Sequence, residues 1–103
     1  MQKLSIYIPT EPVLGAYYVR TALTELCAIT GGASSQEIQG AWLNQFHVVV
    51  QEPITVVYAL AQEKDAPQCR VYLQKLAREV KEGLKQEAVL VTVEDMKESI
   101  LVS

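Results

Sequence analysis

The hydrophobic pattern of this chain switches repeatedly between a period of two and a helical period, and the order of those switches leaves few folds open. Residues 3–8 alternate and 10–30 repeat at helical spacing. Residues 36–61 read as extended, 66–86 are helical again, and 88–102 return to extended. A mild turn signal at Asn44-Gln45 splits the middle segment in two. The resulting β-α-β-β-α-β order predicts an α+β domain of the ferredoxin-like, split β-α-β kind: an antiparallel sheet with two helices on one face, and a short C-terminal strand at Ser99–Val102. A chain of 103 residues is expected to form a single domain, 1–103, burying roughly two-thirds of its unfolded surface.

Local signals give the boundaries. In the first strand Leu4, Ile6 and Ile8 share one face, opposite Lys3, Ser5 and Tyr7. Pro9 ends it, Thr10 stands as N-cap of the first helix, and Glu11 and Pro12 suit its first turn. Val19, Leu23, Leu26 and Thr30 trace a buried stripe, and Gly31-Gly32 offers the left-handed termination that a helix end favours. Asp65 caps the second helix, with Pro67 and Gln68 behind it, and Cys69, Leu73, Leu76, Ala77, Val80 and Leu84 form its stripe. Pro53 predicts a bulge or break in an otherwise continuous strand.

That strand carries the main functional clue. From Val48 to Ala61, ten of fourteen residues are apolar, and neither alternating set is polar. The last strand behaves likewise, with Val89, Val91 and Val93 opposite Ala88, Leu90 and Thr92. A sheet covered on one side alternates apolar-in and polar-out, so two apolar sides require two covers. Helices supply one, and a second copy of the chain is the simplest other. A homodimer through the sheet face is therefore expected.

Charge and composition narrow the classes. A net charge of −3 argues against a nucleic-acid partner, because backbone-directed binding needs a basic stripe. Five of the nine basic residues (Arg70, Lys75, Arg78, Lys81 and Lys85) fall on the second helix, interleaved with Glu79 and Glu82, as on a solvated face. No apolar run reaches about 18 residues, so no membrane span is expected. Met1-Gln2-Lys3 leads straight into a strand without the features of a signal peptide, which points to a cytoplasmic location. Cys27 and Cys69 read as buried free thiols.

No cofactor motif, catalytic signature or metal-ligand spacing is present: one histidine and two distant cysteines make no metal site. The candidate ligand-binding residues are Arg20, Trp42, His47, Glu52 and Tyr58. His47, read as lying within an extended segment, is the one imidazole. Glu52 is a carboxylate in an apolar strand, attractive as a partner for Arg20, the lone cation of the first helix. Trp42 and Tyr58 have the amphipathic rings that pockets and interfaces share.

The second half resembles an uncharacterised family of small bacterial domains in its short motifs. These are Gly40-Ala41-Trp42 in one strand, Glu52 before the apolar run Ile54–Leu60, and Gln86-Glu87-Ala88-Val89-Leu90 after the second helix. The likeness spans about residues 38–93. It implies a ferredoxin-like domain with no known activity and directs attention to Gly40, Trp42, Glu52, Gln86 and Glu87. Members are often exported, whereas this chain shows no leader, and its N-terminal half matches poorly.

The functional expectation is a non-catalytic, self-associating domain that binds a partner or small ligand without a cofactor. The alternative is a cofactor-free enzyme resembling the dimeric α/β-barrel proteins, with His47, Arg20, Glu52 and a tyrosine around a pocket between sheet and helices. A sensor holding ligands between subunits is a third reading.

Overall fold

The computed structural model describes residues 1–100 and 102. Its elements follow the expected order: β1 (Gln2–Pro9), α1 (Leu14–Thr30), β2 (Ser34–Leu43), β3 (Val49–Ala61), α2 (Ala66–Gly83) and β4 (Val91–Asp95). The four strands form one antiparallel sheet in the order β2-β3-β1-β4. Both helices pack on one face of it. This is the α+β, ferredoxin-like split β-α-β arrangement.

The core is the layer between that face and the helices. Leu4, Ile6 and Ile8 of β1 and Val57, Ala59 and Ala61 of β3 point into it, against Ala22 and Leu26 of α1 and Cys69, Leu73, Leu76 and Val80 of α2. Val91 and Val93 complete it from β4. The helices are tied to each other by two tyrosines: the Tyr18 hydroxyl donates to the Glu79 carbonyl at 3.2 Å, and the Tyr72 hydroxyl to the Thr21 carbonyl at 3.3 Å. Burial, then the nearby carboxylates of Glu25 and Glu79 and the Tyr17 phenol, push the Tyr72 phenol up to about 12. Gly83 lets the helices close, since a Cβ there would run into the Tyr18 hydroxyl.

Several local expectations are corrected. Helix α1 begins at Leu14, and Thr10 does not cap it; its hydroxyl lies 2.8 Å from that of Thr55. Glu11 holds the helix start instead, its carboxylate accepting the N–H groups of Val13, Leu14 and Gly15 at 2.7, 2.8 and 3.0 Å. Asp65 occupies the N-cap of α2, but its side chain makes no capping bond. Gly31 does end α1 in the left-handed conformation (φ +88°), its N–H bonded to the Cys27 carbonyl. Cys69 is buried, yet Cys27 is exposed, because it falls beside the stripe led by Leu26.

Pro53 neither bulges nor breaks β3. The register runs unbroken from Ser34↔Tyr58 to Leu43↔Val49, with Pro53 opposite Gln39. The Pro53 carbonyl accepts the Thr10 N–H at 2.9 Å. The missing donor of Pro53 is directed to that same side, just where β1 has ended, so the ladder loses little. The strand expected at Ser99–Val102 is not formed at Ser99 or Ile100, and Leu101 lies outside the described residues.

Candidate functional site

The sheet face away from the helices follows from the register and the period of two. Its rows cross the strands as Trp42–Val50, Gly40–Glu52, Ile38–Ile54–Pro9, Gln36–Val56–Tyr7, Ser34–Tyr58–Ser5–Thr92, and Leu60–Lys3–Glu94. Most of the large side chains are apolar, as the unusual composition of β3 implies. Leu60 and Trp42 are 45% and 49% exposed, while Tyr7, Ile38, Val50, Ile54, Val56 and Tyr58 are half-buried by one another. Ile54 lies over Gly40, where a Cβ would collide with it. Within the strands this face holds three charged residues, Lys3, Glu52 and Glu94. The Lys3 ammonium sits 4.5 Å from the centre of the Tyr58 ring, a cation–π contact.

One end of the face is an arm. Strand β1 stops at Pro9, paired with Ile54, so from Pro53 outward the hairpin has only two strands. Asn44 organises its tip: the side-chain carbonyl accepts the N–H groups of Phe46 and Val48 at 2.9 and 3.1 Å, and its backbone carbonyl accepts that of His47 at 3.0 Å. His47 is therefore a turn residue, with φ +58°, and not part of an extended segment. The arm exposes Leu43, Phe46, Val48 and Val49 in addition to Trp42.

The opposite end of the face opens onto a cleft of about 860 Å³. Thr30, Gly32, Tyr58, Leu60 and Gln62 line it, with Met1 and Ile100 across the opening. A smaller groove of about 360 Å³ runs between α1 and the helix side of β2, lined by Thr10, Glu11, Arg20, Glu37 and Thr55. Its Glu11 carboxyl is held below the usual carboxylate range by the Val13 N–H and then that of Gly15, against opposing desolvation, with the Leu14 N–H adding to the lowering.

The five candidate ligand residues are thus spread over the molecule. Trp42 and Glu52 share the open face in adjacent rows, and Tyr58 lies on it three rows beyond Glu52, reaching the larger cleft. His47 stands at the tip of the arm, and Arg20 lies across the sheet from Glu52, in the smaller groove. An Arg20–Glu52 pair is not formed. Among the described residues there is no cluster of metal-ligating side chains, and no helix is long and apolar enough to cross a membrane. Burial, with Asp65 nearby, raises the Cys69 thiol, so this sulfur is a packed hydrophobe.

Two features escaped the sequence reading. The Lys3–Tyr58 contact pairs residues from different strands, and only the register brings them together. The row Ser34–Tyr58–Ser5–Thr92 puts a hydroxyl on every strand, and Thr92 Oγ1 is the one buried side-chain polar atom without a partner among the described residues. Alternation in β4 placed Thr92 opposite Val91 and Val93, but gave no hint of what lay beside it.

No protein-family model matches the sequence, and no curated protein matches it. Solved structures do resemble it. A phage SAM lyase in complex with S-methyl-5'-thioadenosine superposes with a TM-score of 0.62 at 18% identity, covering 91% of this chain and 80% of that one. The same kind of enzyme in its apo state gives 0.61 at 19% identity, over 90% and 78% of the two chains. A DUF3240 family protein from Shewanella baltica gives 0.56 at 14% identity, over 99% and 97%. At such identities these neighbours, one of them an uncharacterised small bacterial domain, share with this chain the ferredoxin-like fold.

Proposed function

We propose that this chain is a non-catalytic, self-associating domain, a homodimer joined through the open sheet face, which binds a partner or a small ligand. One observation carries the reading: the face opposite the helices is built from Tyr7, Ile38, Trp42, Ile54, Val56 and Leu60, and no helix or strand of the described residues covers it. Contiguous apolar surface of this kind marks an interaction site. The 860 Å³ cleft beside Tyr58 falls in the usual size range of small-molecule sites, which supports a ligand there. Among Arg20, Trp42, His47, Glu52 and Tyr58, Tyr58 is the leading ligand contact and Trp42 the leading partner contact. The domain acts in the cytoplasm and needs no cofactor.

Sedimentation velocity at micromolar concentration tests the assembly. The expected result is a dimer that Val56→Lys, at the centre of the face, converts to a folded monomer. A wild-type monomer at hundreds of micromolar overturns the reading.

The alternative, a cofactor-free enzyme, draws support from the fold it shares with the SAM lyase bound to S-methyl-5'-thioadenosine. The layer between sheet and helices is filled by core side chains, so such chemistry would use the outer cleft or the smaller groove beside Arg20. Incubation with SAM and calorimetry with S-methyl-5'-thioadenosine separate the two. The non-catalytic reading expects no turnover. Turnover that His47→Ala abolishes would establish the enzyme.

A further inference from the structure

We propose that the distal hairpin, Gln39–Pro53, is an exchange arm that crosses the open face of a second copy, so that Glu52 meets the partner's Lys3 and Trp42 enters the partner's large cleft. The inference rests on the dimer proposed above and specifies its register.

Among the described residues no third strand supports the arm. Beyond Pro53, whose carbonyl still accepts the Thr10 N–H, β3 has β2 on one side and no described strand on the other, and β2 is an edge along its whole length. A two-stranded ribbon alone is marginal in water. This one nevertheless carries Trp42, Leu43, Phe46, Val48 and Val49 at 49, 58, 73, 56 and 62% exposure. Of these, Trp42 lies on the open face, Phe46 and Val48 lie in the turn, and Leu43 and Val49 point to the helix side of the sheet. A stable dimer buries about 800 Å² per partner, which here falls to the open face running from Trp42 to Leu60. Strand β2 also lacks the lysines, prolines and bulges that protect free edges from other chains.

Two-fold symmetry then fixes what each residue meets. An isologous face-to-face dimer places a surface against its own copy, here with β3 running antiparallel over the partner's β3. Overlap is greatest when the axis passes near the middle of β3 (Val49–Ala61), at the Val56 row. Glu52, four residues to one side, then lies over the row four residues to the other, which is Leu60–Lys3 of the partner. The open face carries one cation and two carboxylates within its strands, and this register brings that cation against the carboxylate of the partner's arm. Glu94 stands beyond Lys3 on β4, one strand further from β3 than Lys3. The Trp42–Val50 row is displaced about 20 Å from the axis. The same displacement on the other side reaches Gln62 on β3 and Gly32 and Thr30 before β2, all lining the cleft. The single tryptophan of the chain and the 860 Å³ cleft become complementary halves of one contact, repeated twice.

The test is a charge exchange read by sedimentation equilibrium, with circular dichroism checking that each variant is folded. Lys3→Glu and Glu52→Lys are each expected to weaken dimerisation at least tenfold, and the double variant K3E/E52K to return it to within a few-fold of wild type. Trp42→Ala is expected to weaken it by 30-fold or more, as an anchor residue does. A wild-type dimer whose affinity ignores both single charge changes overturns this register while leaving the sheet-face dimer standing. A wild type that stays monomeric overturns both.

Discussion

Val49 and Val57 are the same residue type on the same strand, pointing to the same side of the sheet, yet Val57 is fully buried and Val49 is 62% exposed. The helices account for the difference. At Val57 the sheet is covered by the helical layer, with α1 over β3, while at Val49, about 27 Å further along, that layer has ended and the strand continues. Burial in this molecule is decided by how far the cover extends and not by the strand's own pattern. The open face shows the same contrast with no helix of the described residues over it, and the proposed reading assigns its excess of apolar residues to a second copy of the chain.

The sharpest way to test that contrast is to truncate both valines. Val57→Ala is expected to lower stability by about 2 kcal/mol, through lost transfer free energy and the cavity left behind. Val49→Ala in the monomer should stay within about 0.5 kcal/mol of wild type. Urea unfolding measures both, and equal losses would mean that the arm is packed within its own chain.

The two ends of the covered half differ in a smaller way. Glu11→Gln is expected to lower the melting temperature by a few degrees at neutral pH, because the carboxylate that gathers three N–H groups loses its charge. The Glu11 pKa is depressed in the folded state, so its contribution is present above the ordinary glutamate value and is lost as pH falls through its own lower value. The gap between wild type and variant should therefore close on acidification. A gap that widens would contradict the assignment. A small effect of opposite sign belongs to the arm tip: His47→Gly, which removes a side chain from a left-handed position, should stabilise the hairpin by up to about 1 kcal/mol. A loss of stability there would mean that the imidazole makes a contact the turn depends on.

The order of elements was readable because each segment repeats at its own period, as in Leu4, Ile6 and Ile8 or in Leu73, Leu76 and Val80. The apolar second face was readable too, from Ile54, Val56, Tyr58 and Leu60. The details that failed depend on where neighbouring strands stop. Pro53 breaks a strand only if its missing N–H faces a partner, and that depends on the length of β1. His47 looked extended because valines follow it, whereas the Asn44 side chain turns the chain beneath it. Thr10 and Glu11 could each have held the start of α1, and geometry alone chose Glu11. Of the candidate site, Trp42, Glu52 and Tyr58 fall on one face as alternation allows, while Arg20 is separated from them by the sheet itself.

Trp42 is the only tryptophan in the chain, and it lies on the contested surface, so its emission reads the central claim directly. With self-association through the open face, emission at micromolar concentration is blue-shifted and poorly quenched by acrylamide, and moves to the red on dilution. Solvent-like emission with full quenching at every concentration, up to hundreds of micromolar, would contradict it.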